Sequence, residues 1–209
     1  IKGRLATLGT QFTQNLLADE RTWFMTLGEG DLDGLPDFVV DTARAAGEEK
    51  EAGGPVVTLS RSLITPFLQF SPRRDLREKA YRAWASGGAN GGATDNRAIA
   101  AEILKLREER ARLLGYDTFA DYKLEPEMAK TPAAVRDLPM SVWEPAPARA
   151  TADGAVLEQM LHDHGIAGPL EPWDWRYSAE KRRKALHHPD VGMVTQYFQL
   201  DRNIDASFA

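Results

Sequence analysis

Four histidines, His162, His164, His187 and His188, are the side chains of this chain best suited to hold a metal ion. A helical zinc site of the hydrolytic kind needs two histidines at i and i+4 on one face, a glutamate between them as general base, and a third ligand further along. His162 and His164 are spaced i,i+2, which sends their rings to different sides of a helix, and His187 and His188 are adjacent and followed by Pro189. Neither spacing builds a three-ligand site. The histidines are read as helix-terminal or solvent-facing, and no metal ligand or cofactor is assigned within the chain. Cysteine is absent, which removes a thiolate nucleophile, a zinc–thiolate site and a disulfide framework.

The run Trp173-Asp174-Trp175 with Tyr177 sets aromatic rings beside a carboxylate, a combination suited to a peptide with a basic or amino-terminal group. A plainer account makes Trp173 and Tyr177, four apart, one buried helical face and Asp174 a first-turn carboxylate favoured by the helix dipole. That account is preferred, with Trp173, Asp174 and Tyr177 kept as candidate substrate contacts. Lys181-Arg182-Arg183-Lys184 points all round a helix axis and reads as a solvated face that complements a C-terminal dipole. The stretch from Gly87 to Gly92 lacks the Lys-Ser/Thr of a phosphate loop and follows no clear strand, so it reads as a flexible connector, with its Asn90 kept as a fourth candidate contact. Glu125, Glu127 and Glu171 offer no pair that spacing singles out for acid–base work. Ser60, Ser62 and Ser71 lack a nucleophile-elbow context, and Ser71 has a capping role open to it.

The elements that must carry these residues read as helices. At 209 residues the chain can bury roughly 70% of its unfolded surface, enough for one sizeable core or two small domains. Hydrophobic residues make up 43%, charged residues 27%, and the net charge is −5, which argues against nucleic acid as a partner. No apolar run approaches the roughly 18–20 residues of a membrane span, so no membrane partner is expected. Period-3.6 stripes predict about eight helices and an all-α fold, a multi-helix array or bundle with at most one short β element near 56–59.

The first helix is expected over 4–27, on Leu5, Leu8, Phe12 and Leu16; the next runs from Pro36 to near Gly47. Pro66 is expected to open a short helix to Phe70, and Ser71-Pro72 to start the helix of Leu76, Ala80, Ala83 and Trp84. Asp95 is the expected N-cap of the helix over 96–114, whose face is Ile99, Ile103, Leu106 and Leu113, and Asp117 the cap of a helix to about Met128. From Thr131 to His164 a helical pattern is interrupted by Pro139, Pro145 and Pro147, which implies two pieces with a break around 139–148. Pro172 to about Leu186 is a further helix, and 192–209 a loosely patterned tail. The chain is expected to form one helical segment over 1–209, with a subdivision near 86–94 or 139–148.

Several stretches together resemble one family. Glu171-Pro172-Trp173-Asp174-Trp175-Arg176-Tyr177 and Tyr197-Phe198-Gln199-Leu200 resemble the Pro-Trp-Asp…Tyr helix and Tyr-Phe-x-Leu segment of the M3 zinc oligopeptidases, of the peptidyl-dipeptidase and oligopeptidase A type. The run 8–17 resembles the helix before that family's variable insert, and Arg74 through Trp84 its Arg-Glu-x-x-Tyr-Arg-Ala-Tyr helix. Asp95-Asn96 through Glu109, with Leu113-Leu114-Gly115-Tyr116, resembles its Asn-x-x-x-Ile-x-x-Ile-Leu-x-Leu-Arg run. Departures are Ser178 where a second tyrosine is usual, and Pro139, Pro147 and Gly154 inside an expected helix.

The resemblance implies a helical channel wall from the N-terminal half of a cytoplasmic peptidase whose zinc helix, His-Glu-x-x-His, lies further downstream. It implies hydrolysis of short peptides by a zinc-bound water and a general-base glutamate, none of whose ligands is in this chain. Because the chain begins at Ile1 with a helical stripe starting almost at once, it reads as a fragment cut at both ends. Surface exposed by those cuts is expected to give self-association or a loosely ordered C-terminus, with Tyr197, Phe198, Ile204 and Phe208 the apolar residues left over. The rival is a non-catalytic helical module that descends from such a peptidase and binds a peptide or protein.

Overall fold

The computed structural model describes residues 1–187 and Ile204. Among residues 1–187 the elements run α1 (Lys2–Thr22), β1 (Phe24–Thr26), a 3-10 turn at Glu29–Asp31, α2 (Asp37–Glu49), β2 (Val56–Thr58), α3 (Arg61–Phe70), α4 (Arg74–Ala85), α5 (Arg97–Leu113), α6 (Phe119–Leu124), α7 (Pro132–Trp143), α8 (Ala146–Asp163) and α9 (Pro172–His187). The all-α expectation holds, the one small sheet among the described residues being the pair β1–β2. No helix among the described residues is long and apolar enough to cross a membrane. Of the tail's apolar residues, Tyr197, Phe198 and Phe208 lie outside the described residues, and Ile204 is exposed.

The chain forms two compact units, one of Ile1–Trp23 with Ala83–Asp153 and the other of Phe24–Arg82 with Gly154–Ala209. The second holds most of the apolar core. Helix α1 stops at Thr22, short of the expected 27, because Met25 and Leu27 are buried while Phe24 and Thr26 are not. That alternation is a strand's period of two. β1 pairs antiparallel with β2, Met25 opposite Val57, and the Leu27 N–H donates to the Pro55 carbonyl at 2.8 Å.

Helix α3 begins five residues before the expected Pro66 and carries that proline inside it. Leu63, Ile64, Phe67 and Leu68 on one face are essentially without exposed surface. Burying each of four such side chains stabilises by roughly 1.5–3 kcal/mol, which outweighs the ~3 kcal/mol cost of an interior proline. Helix α9 packs along α3, and α2 against β2 and α3.

In the first unit α1 packs on α5, α5 on α6, and α6 on α7. The buried apolar side chains here are Leu8, Ile99 and Ala111; Leu113, expected on the packed face of α5, is 73% exposed. The N-cap of α5 is Asn96, one residue past the expected Asp95, and that of α6 is Thr118 rather than Asp117, in a capping box with Asp121. Helix α6 ends at Leu124, before the expected Met128. Thr131 caps α7, accepting from the Ala134 N–H. The proline-rich break falls at residues 144–145, so Pro147 lies in the first turn of α8, where its missing N–H costs nothing.

Gly47 marks the tightest approach in the second unit, since a Cβ added there would overlap the Gly54 carbonyl oxygen. Alanine in a helix ordinarily gains ~0.5–1 kcal/mol over glycine. Gly47→Ala is expected instead to destabilise by about 1–3 kcal/mol through overpacking. Gly9→Ala in α1, where the added Cβ meets nothing within 4 Å, should be neutral to stabilising; urea unfolding midpoints of the two variants check the opposite signs.

Candidate functional site

The four candidate contacts lie in two polar clusters, one in each unit. In the second unit Asp174 stands in the first turn of α9 with no exposed surface. Arg74 Nη2 and Arg77 Nη2 each donate to its carboxylate at 2.7 Å, Arg74 Nε adds two bonds at 3.1 Å, and the Glu171 N–H donates at 3.2 Å. Arg77 is itself fully buried. Its Nη1 donates to the Ser71 carbonyl at 2.8 Å and its Nε to the Trp173 carbonyl at 3.1 Å, while its guanidinium lies 4.2 Å from the centre of the Tyr177 ring. Arg74 also reaches the carbonyls of Ala167 and Pro169.

The electrostatics follow from the partners. Burial pushes the Asp174 carboxyl up, but the bonds from Arg74 and Arg77 and from the Glu171 N–H outweigh it and hold the group below the usual carboxylate range. Burial pulls Arg77 down against the opposing pull of Asp174, yet an arginine starts so far above neutrality that it stays charged. Trp173 and Tyr177 are each only 9% exposed, with Arg82 over the Trp173 ring and Tyr81 beside it. Further along the helix Glu180 accepts from Arg183 and from Gln69 of α3, and Arg183 ahead of Gln69 holds its carboxyl low.

Asn90 belongs to the first unit. Its Nδ2 donates to Asp19 at 3.0 Å, and the same carboxylate accepts the Gly88 N–H at 2.7 Å and the Thr94 hydroxyl at 2.6 Å. The Thr94 hydroxyl, then the Gly88 N–H and Asn90, lower the Asp19 pKa. Gly88 has φ +71°, and a Cβ there would meet Leu16 and Asn96, so glycine is required for both conformation and space. Asn96 in turn donates to the Phe12 carbonyl and accepts from Asn15. The stretch read as a connector is thus tied to α1 at several points, and Asn90 itself is exposed.

His162 and His164 are exposed, each with a ring nitrogen on a backbone carbonyl, of Gly168 and Met160. His187 is exposed at the end of α9, and His188 lies outside the described residues. Among the described residues no three His, Asp or Glu side chains come together as a metal-binding group. The described donors thus offer no set that fits a zinc ion. Glu125 is bonded to the Tyr116 hydroxyl and Glu127 to Lys123, and Ser71 is buried with its Oγ accepting the Arg73 N–H.

Arg74, Arg77 and Asp19 are not among the site residues that the sequence motifs single out. A signal is nonetheless present: Arg74 and Arg77 sit at the start of α4 and Asp19 near the end of α1, where each charge opposes the helix dipole and so calls for a partner elsewhere.

The family model described as peptidase family M3 matches residues 67–207. The chain belongs to peptidase family M3. It is 30% identical to oligopeptidase A of Escherichia coli over 213 residues, covering all of this chain and 31% of that protein. It is 28% identical to the dipeptidyl carboxypeptidase of the same organism, over 94% of this chain and 29% of that one. A probable cytosolic oligopeptidase A of Arabidopsis thaliana is 29% identical, over all of this chain and 31% of its own length. The M3 chain thus spans about three-tenths of the length of the curated relatives it matches.

Asp174→Asn keeps the shape and removes the charge, leaving Arg77 buried without its counter-ion; a loss of about 3–5 kcal/mol is expected from urea unfolding. Asp95→Asn, whose Arg97 partner is exposed, should lower the midpoint far less than Asp174→Asn. Because the pKa values of Asp174, Glu180 and Asp19 are lowered by folding, their stabilisation is complete above the unfolded carboxylate range and is lost as pH falls through the folded values. Unfolding midpoints should hold steady from about pH 7 to about 5 and fall below about 4, less steeply in Asp174→Asn.

Proposed function

We propose that this chain is part of a zinc-dependent metallopeptidase that hydrolyses peptide bonds in short oligopeptides, forming a wall of its substrate channel and supplying no catalytic group. The observation that carries the reading is family membership over residues 67–207, with relatives named for oligopeptidase and dipeptidyl carboxypeptidase activity. The length those relatives have beyond the matched three-tenths leaves room for a zinc helix with two histidines and a general-base glutamate. A cytoplasmic location belongs to the same reading, supported by the relative named cytosolic.

In this reading Asp174 and the two arginines fix the first turn of α9, with Trp173 and Tyr177 packed around them, and so shape the wall from behind. Asn90, exposed and oriented by Asp19, is the candidate best placed to touch a peptide. Asn90→Ala in the complete enzyme is expected to raise KM with little change in kcat, the signature of lost binding that ground state and transition state share equally.

The coding sequence past Ala209 decides the reading. A His-Glu-x-x-His motif is expected there, and a polypeptide that carries it should hold zinc and cleave short peptides. The 209-residue chain alone should retain no stoichiometric zinc after dialysis and show no hydrolysis. Chelator-sensitive cleavage by the short chain would overturn the division of roles, and a stop codon at that point would favour a non-catalytic peptide- or protein-binding module.

A further inference from the structure

We propose that Asn90–Gly91 is a site of spontaneous deamidation, and that the reaction turns the tether between α1 and the glycine-rich loop into a pair of repelling carboxylates. The proposal does not rest on the peptidase reading. An asparagine side chain closes on the backbone nitrogen of the residue after it, so that residue governs how readily the ring forms. Asn15, Asn96 and Asn203 are followed by Leu16, Arg97 and Ile204, whose side chains obstruct the approach, whereas Asn90 is followed by glycine. Gly91 has φ +74° and no side chain in the way.

The surroundings allow the reaction at this position. Asn90 is exposed, and residues 89–92 are neither helix nor strand. The Gly91 N–H donates to Asp95 Oδ2 at 3.0 Å, which sets a carboxylate base against the proton that must leave when the nitrogen attacks. Asn96, by contrast, is 3% exposed, and both ends of its amide are bonded, to the Phe12 carbonyl and to Asn15. Asn15 lies within α1, where the hydrogen-bonded backbone resists the rearrangement.

Water is the one co-reactant. Gly91 N gives up its proton and bonds to Asn90 Cγ, the Cγ–Nδ2 bond breaks, and Nδ2 leaves with that proton as ammonia, which closes a five-membered imide. One water then opens the ring. Attack at Cγ gives aspartate on an ordinary backbone; attack at the backbone carbonyl carbon of residue 90 gives isoaspartate, whose main chain runs through Cβ and Cγ. Either product carries an added negative charge at neutral pH.

The atom lost is the atom that holds the loop. Asn90 Nδ2 donates to Asp19 Oδ2 at 3.0 Å, and an ionised carboxylate in its place is an acceptor without a donor. The other partners of Asp19, the Gly88 N–H and the Thr94 hydroxyl, are neutral, so no bonded cation takes up the second charge and the two carboxylates repel. The isoaspartate form also lengthens the main chain beside the Gly91–Asp95 bond. The Gly88 N–H bond to Asp19 and the Asn96 N–H bond to the Gly88 carbonyl, both 2.7 Å, then open more often.

The test incubates the 209-residue chain for several days at body temperature in mildly alkaline buffer and cleaves it with trypsin, which releases residues 83–97 with both Asn90 and Asn96. Asn90 is expected to convert, gaining a single mass unit, at least about tenfold faster than Asn96. Asn90→Gln, which keeps the amide but forms no five-membered ring, should stay unchanged at that position. In freshly prepared Asn90→Asp the Gly88 and Asn96 amides should exchange about threefold or more faster than in the unaged parent, and by a smaller factor in high salt, which screens the repulsion. The aged chain, separated by its added charge, should exchange these amides at least as fast.

An Asn90 that stays intact, or converts no faster than Asn96, overturns the site. Unchanged exchange in both Asn90→Asp and the aged chain overturns the consequence for the loop. A rise that salt does not diminish assigns the effect to the lost hydrogen bond alone and overturns the repulsion.

Discussion

The second unit is organised around a carboxylate with no exposed surface. Asp174 has two guanidinium partners, and one of these, Arg77, is as fully buried as the acid itself. Taking such charges out of water costs several kcal/mol per ion, so the arrangement persists only where every group is matched. Here it is matched closely. The acid accepts from both arginines and a backbone N–H, and Arg77 also donates from Nη1 and Nε to the carbonyls of Ser71 and Trp173 and lays its face on Tyr177.

That matching fixes geometry rather than merely adding stability. The Ser71 and Trp173 carbonyls belong to the end of α3 and the start of α9, and Arg77 bridges them from α4. A rotation of α9 by one residue would leave a buried cation and a buried anion apart, which apolar packing alone would not forbid. Apolar contacts of α3 with α9 then supply the bulk attraction, while the ion cluster selects the register.

The first unit is built on a different balance. Its apolar core is small, and Asp19 does much of the positioning by gathering three donors from the glycine-rich loop and the residues just after it. Gly88 makes the turn possible, because its positive φ and its contact with Leu16 and Asn96 both exclude a side chain. Among the described residues α7 likewise has no buried side chain, with Leu138, Val142 and Trp143 exposed.

The helical character, the ends of α9, the break between α7 and α8 and the family are legible in the sequence, because 3.6-residue periodicity, first-turn prolines and ordered motifs are local signals. Local signals mislead where tertiary packing overrides them. Pro66 by itself reads as a helix start, yet the burial of Leu63 and Ile64 before it extends the helix past the proline. Phe24–Thr26 continues the apolar pattern of α1, yet β2 offers it a pairing partner and turns it into a strand. Arg74 lies 100 residues from Asp174 in the chain, and Gly88 lies 69 from Asp19. No periodicity reports on such pairs, since what brings them together is the desolvation of the groups in the folded chain, and only the tertiary structure decides which opposite charge or donor is within reach.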